Sequence, residues 1–262
     1  MVNETVDYHF TYMPKKKLDI LNEKLVKAYL KKWGLEGRIQ SQCFTFNESV
    51  HHQDMNRFLE AFFASPDVYP HLRCDPTVPI SAPLTALKIA RIPCTLTDMR
   101  LFERLTHPAN GIVLREFDLR QCLQRDIDGF LVADELRQLL LDKESDNLYK
   151  ESERDEFLFR LFEHCCLGGM WCQYEDSLEP YLTVTKLLYK NLISVVKCDV
   201  TNNLLIRSQI FKVSASEQEG DVAKFPRDPE QDNNFAYVIV NSNSKQVATL
   251  VHQAGWNQEV VE

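Results

Sequence analysis

The chain has 262 residues, 44% hydrophobic and 26% charged, enough to bury an ordinary globular core as one large domain or two small ones. Its 30 basic and 38 acidic residues leave a net charge of −8, which argues against nucleic acid as the main partner, since phosphate binding wants a basic surface. Only 8 glycines are present and neither GxxxxGK[ST] nor GxGxxG occurs, so no phosphate-cradling loop is expected.

Val6, Tyr8, Phe10 and Tyr12 alternate with polar residues, the period of a half-buried strand, and Pro14 ends it. A helix is predicted over 16–33, with Leu18, Leu21, Leu25 and Tyr29 on its apolar side and Gly34 and Gly37 bracketing its end. GRIQSQCFTF, from Gly37, reads as a second strand. Asp54 is placed to cap a short helix whose Met55, Phe58, Leu59, Phe62 and Phe63 form one apolar face; Pro66 stops it. The proline-rich stretch 65–83 reads as loop and 86–92 as a strand. Thr97 is expected to cap a helix burying Leu101, Phe102 and Leu105, followed by a strand over 112–117 and a helix over 132–141.

Residues 142–156 hold seven acidic and three basic side chains and read as a solvated connection, with Ser152 capping the helix that follows. Phe157, Leu158, Leu161, Phe162 and Cys165 form that helix's apolar face, and Gly168 is placed to take the left-handed conformation at its end. Ser177 opens another helix running to about Lys190, with Pro180 tolerated in its first turn. Strands over 193–200 and 204–213 flank the turn Thr201-Asn202-Asn203; strands over 235–240 and 246–252 flank 241–245. The polar stretch 216–234 between the hairpins reads as mobile. The pattern predicts an α+β fold: helices packed on a mixed sheet, C-terminal antiparallel hairpins or meander, one domain over 1–262 with the acidic connection near 142–156.

The N-terminus lacks a basic region followed by an apolar one, no apolar run approaches a membrane span, and the 8 cysteines are scattered, so reduced thiols in the cytoplasm and no membrane insertion are expected. His164, Cys165, Cys166 and Cys172 invite a zinc reading. No CxxC occurs, however, and adjacent helical side chains diverge by about 100°, so buried small residues are the preferred reading. A nucleophilic cysteine there is disfavoured by the partial negative charge of a helix C-terminus. No metal, cofactor or catalytic residue is expected.

In 124–135, Asp126, Asp128, Gly129, Leu131 and Glu135 match positions of a calcium-binding EF-hand loop, but Gln124 stands where the anchoring carboxylate belongs. An ordinary turn at Asp128-Gly129 is preferred, with a calcium-regulated binding module as the alternative. The lysines at 15, 16, 17, 24, 27, 31 and 32 make the first helix basic on an acidic protein. They read either as a solvated face or as a docking face for an acidic partner, centred on Lys24, Lys27 and Lys31.

The stretch LFEHCCLGGMWCQYED at 161–176 resembles the signature of the cilia- and flagella-associated protein 300 family. GRIQSQCFTF, FLEAFFASPDVYPHL, IPCTLTDMRLFERL, DELRQLLL, EPYLTVTKLLYKNLISV and IFKVSA resemble further parts of that family, in order along most of the chain. The resemblance implies a non-enzymatic ciliary and flagellar protein that assists assembly of outer and inner axonemal dynein arms. It implies work in the cytoplasm and entry into the cilium with intraflagellar transport. The implied partners are a PIH-domain co-chaperone of dynein assembly (kintoun) and axonemal dynein subunits. Leu167, Gly168, Gly169, Gln173, Tyr174, Glu175 and Asp176 are the candidate contact segment. The competing structural reading, which is preferred, is that two glycines end one helix and Asp176 or Ser177 starts the next.

Overall fold

A computed structural model describes residues 7–74, 79–142, 148–198 and 202–254. In chain order the strands are β1 (Phe10–Tyr12), β2 (Ile39–Gln40), β3 (Cys43–Phe46), β4 (Ala86–Ile92), β5 (Val113–Arg115), β6 (Asp118–Leu119), β7 (Gln121–Ile127), β8 (Phe130–Asp134), β9 (Val195–Lys197), β10 (Leu204–Ile206), β11 (Gln209–Ser216), β12 (Phe235–Asn241) and β13 (Gln246–His252). The helices are α1 (Lys24–Lys32), α2 (Met55–Ala64), α3 (Glu135–Leu141), α4 (Glu151–Arg154), α5 (Phe157–Leu167) and α6 (Glu179–Leu192).

A seven-stranded sheet runs in the order β1-β3-β13-β12-β11-β4, with β2 also paired to β13. Its described pairings are all antiparallel, so the class is α+β as expected but the sheet is not mixed. The sheet is covered on both faces. β12 shows why: Phe235, Tyr237 and Ile239 enter the core shared with α1, α5 and α6, while Ala236, Val238 and Val240 enter the core shared with α2. A strand buried on both sides reads as a continuous apolar run, and FAYVIV is one. α5 lies deepest among the helices and buries residues on nearly every side, including Phe157, Phe159, Leu161, Cys165 and Cys166.

The expected β4, α2, β12 and β13 are present, and all five apolar residues of α2 are buried. Asp54 sits at the start of α2 without a side-chain capping bond. Several expectations are corrected. The helix over 16–33 is broken: a 3₁₀ turn at Asp19–Asn22 ends at Glu23 in an extended conformation (φ −62°, ψ 135°), and α1 starts afresh. The break changes the phase, so Ile20, Val26, Leu30 and Trp33 are buried while Leu25 stays 49% exposed. GRIQSQCFTF forms two short strands, β2 and β3, with Gln42 between them bonded to Thr249. The helix expected behind Thr97 is a 3₁₀ segment at Arg100–Thr106 that starts from Met99 without a side-chain cap, while just before it Asp98 Oδ1 accepts from the Arg100 amide (3.0 Å). It buries Phe102 and Leu105, with Leu101 only partly covered.

Residues 130–134 are strand, so the expected helix over 132–141 begins only at Glu135, capped by Asp134. Ser152 lies inside α4 and is not a cap; there the Lys150 amide donates to Glu153 Oε2 (2.9 Å). The expected strand over 112–117 shrinks to β5, and that over 204–213 splits into β10, paired with β9, and β11, paired in the main sheet. Val6, residues 143–147 of the acidic connection and residues 199–201 of the first C-terminal turn lie outside the described residues. The stretch 216–234 is anchored through buried Phe225, which pairs with Ala215, and through Asn234, whose Nδ2 donates to the Arg227 and Asp228 carbonyls.

Candidate functional site

The segment 167–178 closes over the C-terminal end of α1. The amide of Gly169 donates to the Trp33 carbonyl (2.9 Å) and that of Gln173 to the Lys32 carbonyl (2.9 Å), so two carbonyls that a helix end leaves unsatisfied are paired by a distant stretch of chain. The two backbones meet at glycines. A Cβ on Gly168 would lie 2.7 Å from the Trp33 oxygen and one on Gly169 2.5 Å from the Gly34 oxygen, distances no side-chain carbon tolerates. Gly168 has φ 66°, as its place after α5 predicts, though its ψ of −166° is not that of a left-handed helical residue.

Side chains complete the closure. Glu175 accepts from Lys32 Nζ (2.6 Å) and from Trp33 Nε1 (3.1 Å). Trp33, fully buried, stacks on Tyr181 with ring centroids 4.7 Å apart. The Tyr181 hydroxyl accepts from the Glu175 amide (2.8 Å) and from Arg137 Nη2 (2.7 Å). Arg137, only 1% exposed, also pairs with Asp134 through Nη1 and lies over the ring of Tyr174. Burial is the main cause that pushes the Tyr174 and Tyr181 hydroxyls above their ordinary range. A buried guanidinium is tolerable because a carboxylate, a hydroxyl and a π face surround it.

Of the candidate contact residues, Leu167 and Gly168 are buried, Gly169, Tyr174 and Glu175 are partly buried, and Gln173 and Asp176 are exposed. Most of their polar groups are engaged within the chain. The tip of the segment is its outermost part: Met170 and Trp171 are 37% and 77% exposed, and Trp171 holds φ 65°. Both were left out of the candidate set. Arg137 was missed as well; its signal is the pair Asp134 and Arg137 spaced as a helix cap and third residue, with the Arg137 amide donating to Asp134 Oδ1 (2.9 Å). Lys24, Lys27 and Lys31 are exposed on α1, with Lys27 3.5 Å from Glu36. Backbone bonds bring the end of this basic helix and the segment 169–173 together, a juxtaposition that their separation in sequence hides.

The Cys/His cluster does not converge. His164 Nε2 shares a hydrogen bond with the Tyr237 hydroxyl (2.8 Å) and its ring stacks on Phe235 at 3.9 Å. Burial, then the charge of Lys212, holds its pKa well below the usual histidine range. Burial pushes the Cys165 and Cys172 thiols up to about 12, and that of Cys166 well above its ordinary value. A thiol so displaced carries almost no thiolate at neutral pH, the form that attacks or binds metal. Among the described residues no group of three or more His, Cys, Asp or Glu side chains is gathered to hold an ion.

The EF-hand-like stretch is a β-hairpin. β7 and β8 pair from Ile127↔Phe130 outward, Asp128 and Gly129 make the turn with φ 52° and 82°, and the Gly129 amide donates to Asp126 Oδ1 (3.1 Å). A calcium loop wraps its ligands around a centre, whereas here the backbone between them is extended. Asp134 and Glu135 meanwhile start α3.

A family model described as Cilia- and flagella-associated protein 300 matches residues 7–252. A relative of that name from Chlamydomonas reinhardtii is 32% identical over 239 residues, covering 88% of this chain and 92% of that protein. Another, from Paramecium tetraurelia, is 31% identical over 236 residues and covers 89% of each. No solved structure matches. No helix among the described residues is long and apolar enough to cross a membrane. With the match running from β1 through β13, the chain belongs to the cilia- and flagella-associated protein 300 family.

Proposed function

We propose that the chain is a non-enzymatic adaptor or assembly factor for outer and inner axonemal dynein arms, acting through protein–protein contacts in the cytoplasm and the cilium. The observation that carries this reading is the extent of the family match, residues 7–252, which encompasses both cores and the segment 167–178 together. The internal chemistry supports it. The groups that could have formed a reaction centre are spent on cohesion: His164 on Tyr237, Arg137 on Asp134 and Tyr181, Glu175 on Lys32 and Trp33.

The outward-facing chemistry suits contacts. Lys24, Lys27 and Lys31 recur at helical spacing on the solvent face of α1, a cationic ridge for an acidic surface. The proposed partners are the PIH-domain co-chaperone kintoun and dynein subunits awaiting assembly, with intraflagellar transport as the route into the axoneme. Affinity purification of the tagged chain from ciliating cells tests the reading. Enrichment of axonemal dynein heavy chains and the co-chaperone over an untagged control is the expected result, and their absence would reject it.

A further inference from the structure

A cleft of about 490 Å³ opens between the segment 12–22, the side of α1 and β2, in a part of the surface that the segment 167–178 does not form. Lys16, Lys17, Lys27 and Arg73 line it, and Glu36 is its one carboxylate among the described residues. Glu36 is already paired with Lys27, which leaves Lys16, Lys17 and Arg73 as excess positive charge. On a chain of net charge −8 that local sign attracts an anionic group.

The rest of the cleft is not a bare charged surface. Leu18 and Leu21, both partly exposed, form part of its lining, together with the buried Leu30 and Leu35. His71 lies flat on Tyr12, ring centroids 4.2 Å apart and planes 10° from parallel, making a stiff aromatic wall. Arg73 is held in place by donation from Nη1 to the carbonyls of Pro70 (2.7 Å) and Leu72 (2.8 Å), so its charge is positioned before any ligand arrives. A second hollow of about 370 Å³ adjoins the first, shares Lys16, Lys17, Leu18 and Ser41 with it and adds one carboxylate, Asp19, which leaves the joined groove with net positive charge. Together the two hollows, about 490 and 370 Å³, offer more room than one small anion fills.

We infer that this cleft seats a short peptide segment of a partner protein, one that alternates acidic and large apolar side chains. The carboxylates meet the lysines and Arg73, and the apolar side chains meet Leu18, Leu21 and the Tyr12–His71 wall. The site is distinct from the exposed ridge, since of the ridge lysines only Lys27 lines the cleft. It adds to the adaptor reading without depending on which motor subunit is carried.

The test is fluorescence anisotropy of a labelled twelve-residue probe of Glu and Asp spaced by Leu and Phe, titrated with the full chain at low salt. The wild type is expected to bind it saturably. The Lys16→Glu/Lys17→Glu pair and, separately, Arg73→Gln are each expected to weaken binding about tenfold, while Lys24→Glu/Lys31→Glu changes it by less than about threefold. Circular dichroism confirms that each variant is folded. No saturable binding by the wild type, or equal loss in the cleft and ridge variants, would overturn the inference. No dynein component enters this assay, so its failure leaves the purification result standing, and the reverse holds too.

Discussion

The guanidinium carbon of Arg137 lies 3.4 Å from the ring centre of Tyr174. That contact ties α3 to the segment behind α5, and Tyr181 and Asp134 hold the same guanidinium from other sides. Arg137→Ala leaves the buried Asp134 carboxylate without its charged partner, keeping only the amide of residue 137, so it is expected to cost about 3 kcal/mol of unfolding free energy in urea titrations. Adding Asp134→Leu to Arg137→Met removes both charges and is expected to recover part of that loss. A loss under about 1 kcal/mol for Arg137→Ala would show that the pair does not organise the region.

The glycine contact between α1 and 168–169 gives a sharper comparison. At Gly168 a methyl group would meet backbone and Cys172, whereas at Gly37, also at positive φ, it would meet open space. Gly37→Ala is expected to cost about 1 kcal/mol, the left-handed penalty alone. Gly168→Ala is expected to cost about 3 kcal/mol, because φ 66° with ψ −166° is a conformation that essentially only glycine adopts and the two backbones must also separate. Equal melting temperatures for the two variants would contradict the close approach.

Stability is expected to fall on mild acidification. Burial is the largest cause that lowers His252 to about 4, and it also holds His164 well below its ordinary value. Both are therefore neutral in the fold and take up protons more readily once unfolded. Their contribution is complete above the unfolded histidine pKa and is lost as pH falls from about 6.5 towards the folded value. His252 alone accounts for about 2 kcal/mol between pH 7 and pH 5. Urea titrations should show that slope in the wild type and a shallower one in His252→Asn; an unchanged slope would remove His252 from the account.

Calcium should have no effect on the hairpin β7–β8. A site of millimolar affinity at tenfold excess calcium would add about 1.4 kcal/mol. The expected result is an unchanged melting temperature and no titration heat; a calcium-dependent rise lost in Asp126→Asn would revive the binding-module reading.

Elements whose pattern is carried by neighbouring residues were legible in the sequence. Met55, Phe58, Leu59, Phe62 and Phe63 mark α2 because one face of a helix repeats at that spacing, and the apolar run FAYVIV marks β12 as a hairpin strand, though not its place inside the sheet. The phase of α1 was not legible, because the extended backbone at Glu23 resets it without a proline or glycine to announce the break. Val132, Ala133 and Asp134 fit a helix as well as a strand, and their pairing with β7 decided the matter. The contacts that define the candidate site join residues far apart in the chain: Gly169 to Trp33, Glu175 to Lys32, Tyr181 to Arg137. No local spacing encodes such pairs. The family signature at 161–176 draws attention to this segment, but it does not reveal that the glycines serve close packing or that Trp171 stands at the exposed tip.

Removing the chain from a ciliated cell and counting dynein arms in axoneme cross-sections tests the central claim most directly. The account predicts loss of both outer and inner arms from otherwise intact doublets, restored by the wild-type chain. Full rows of both arms in cells lacking the protein would contradict it.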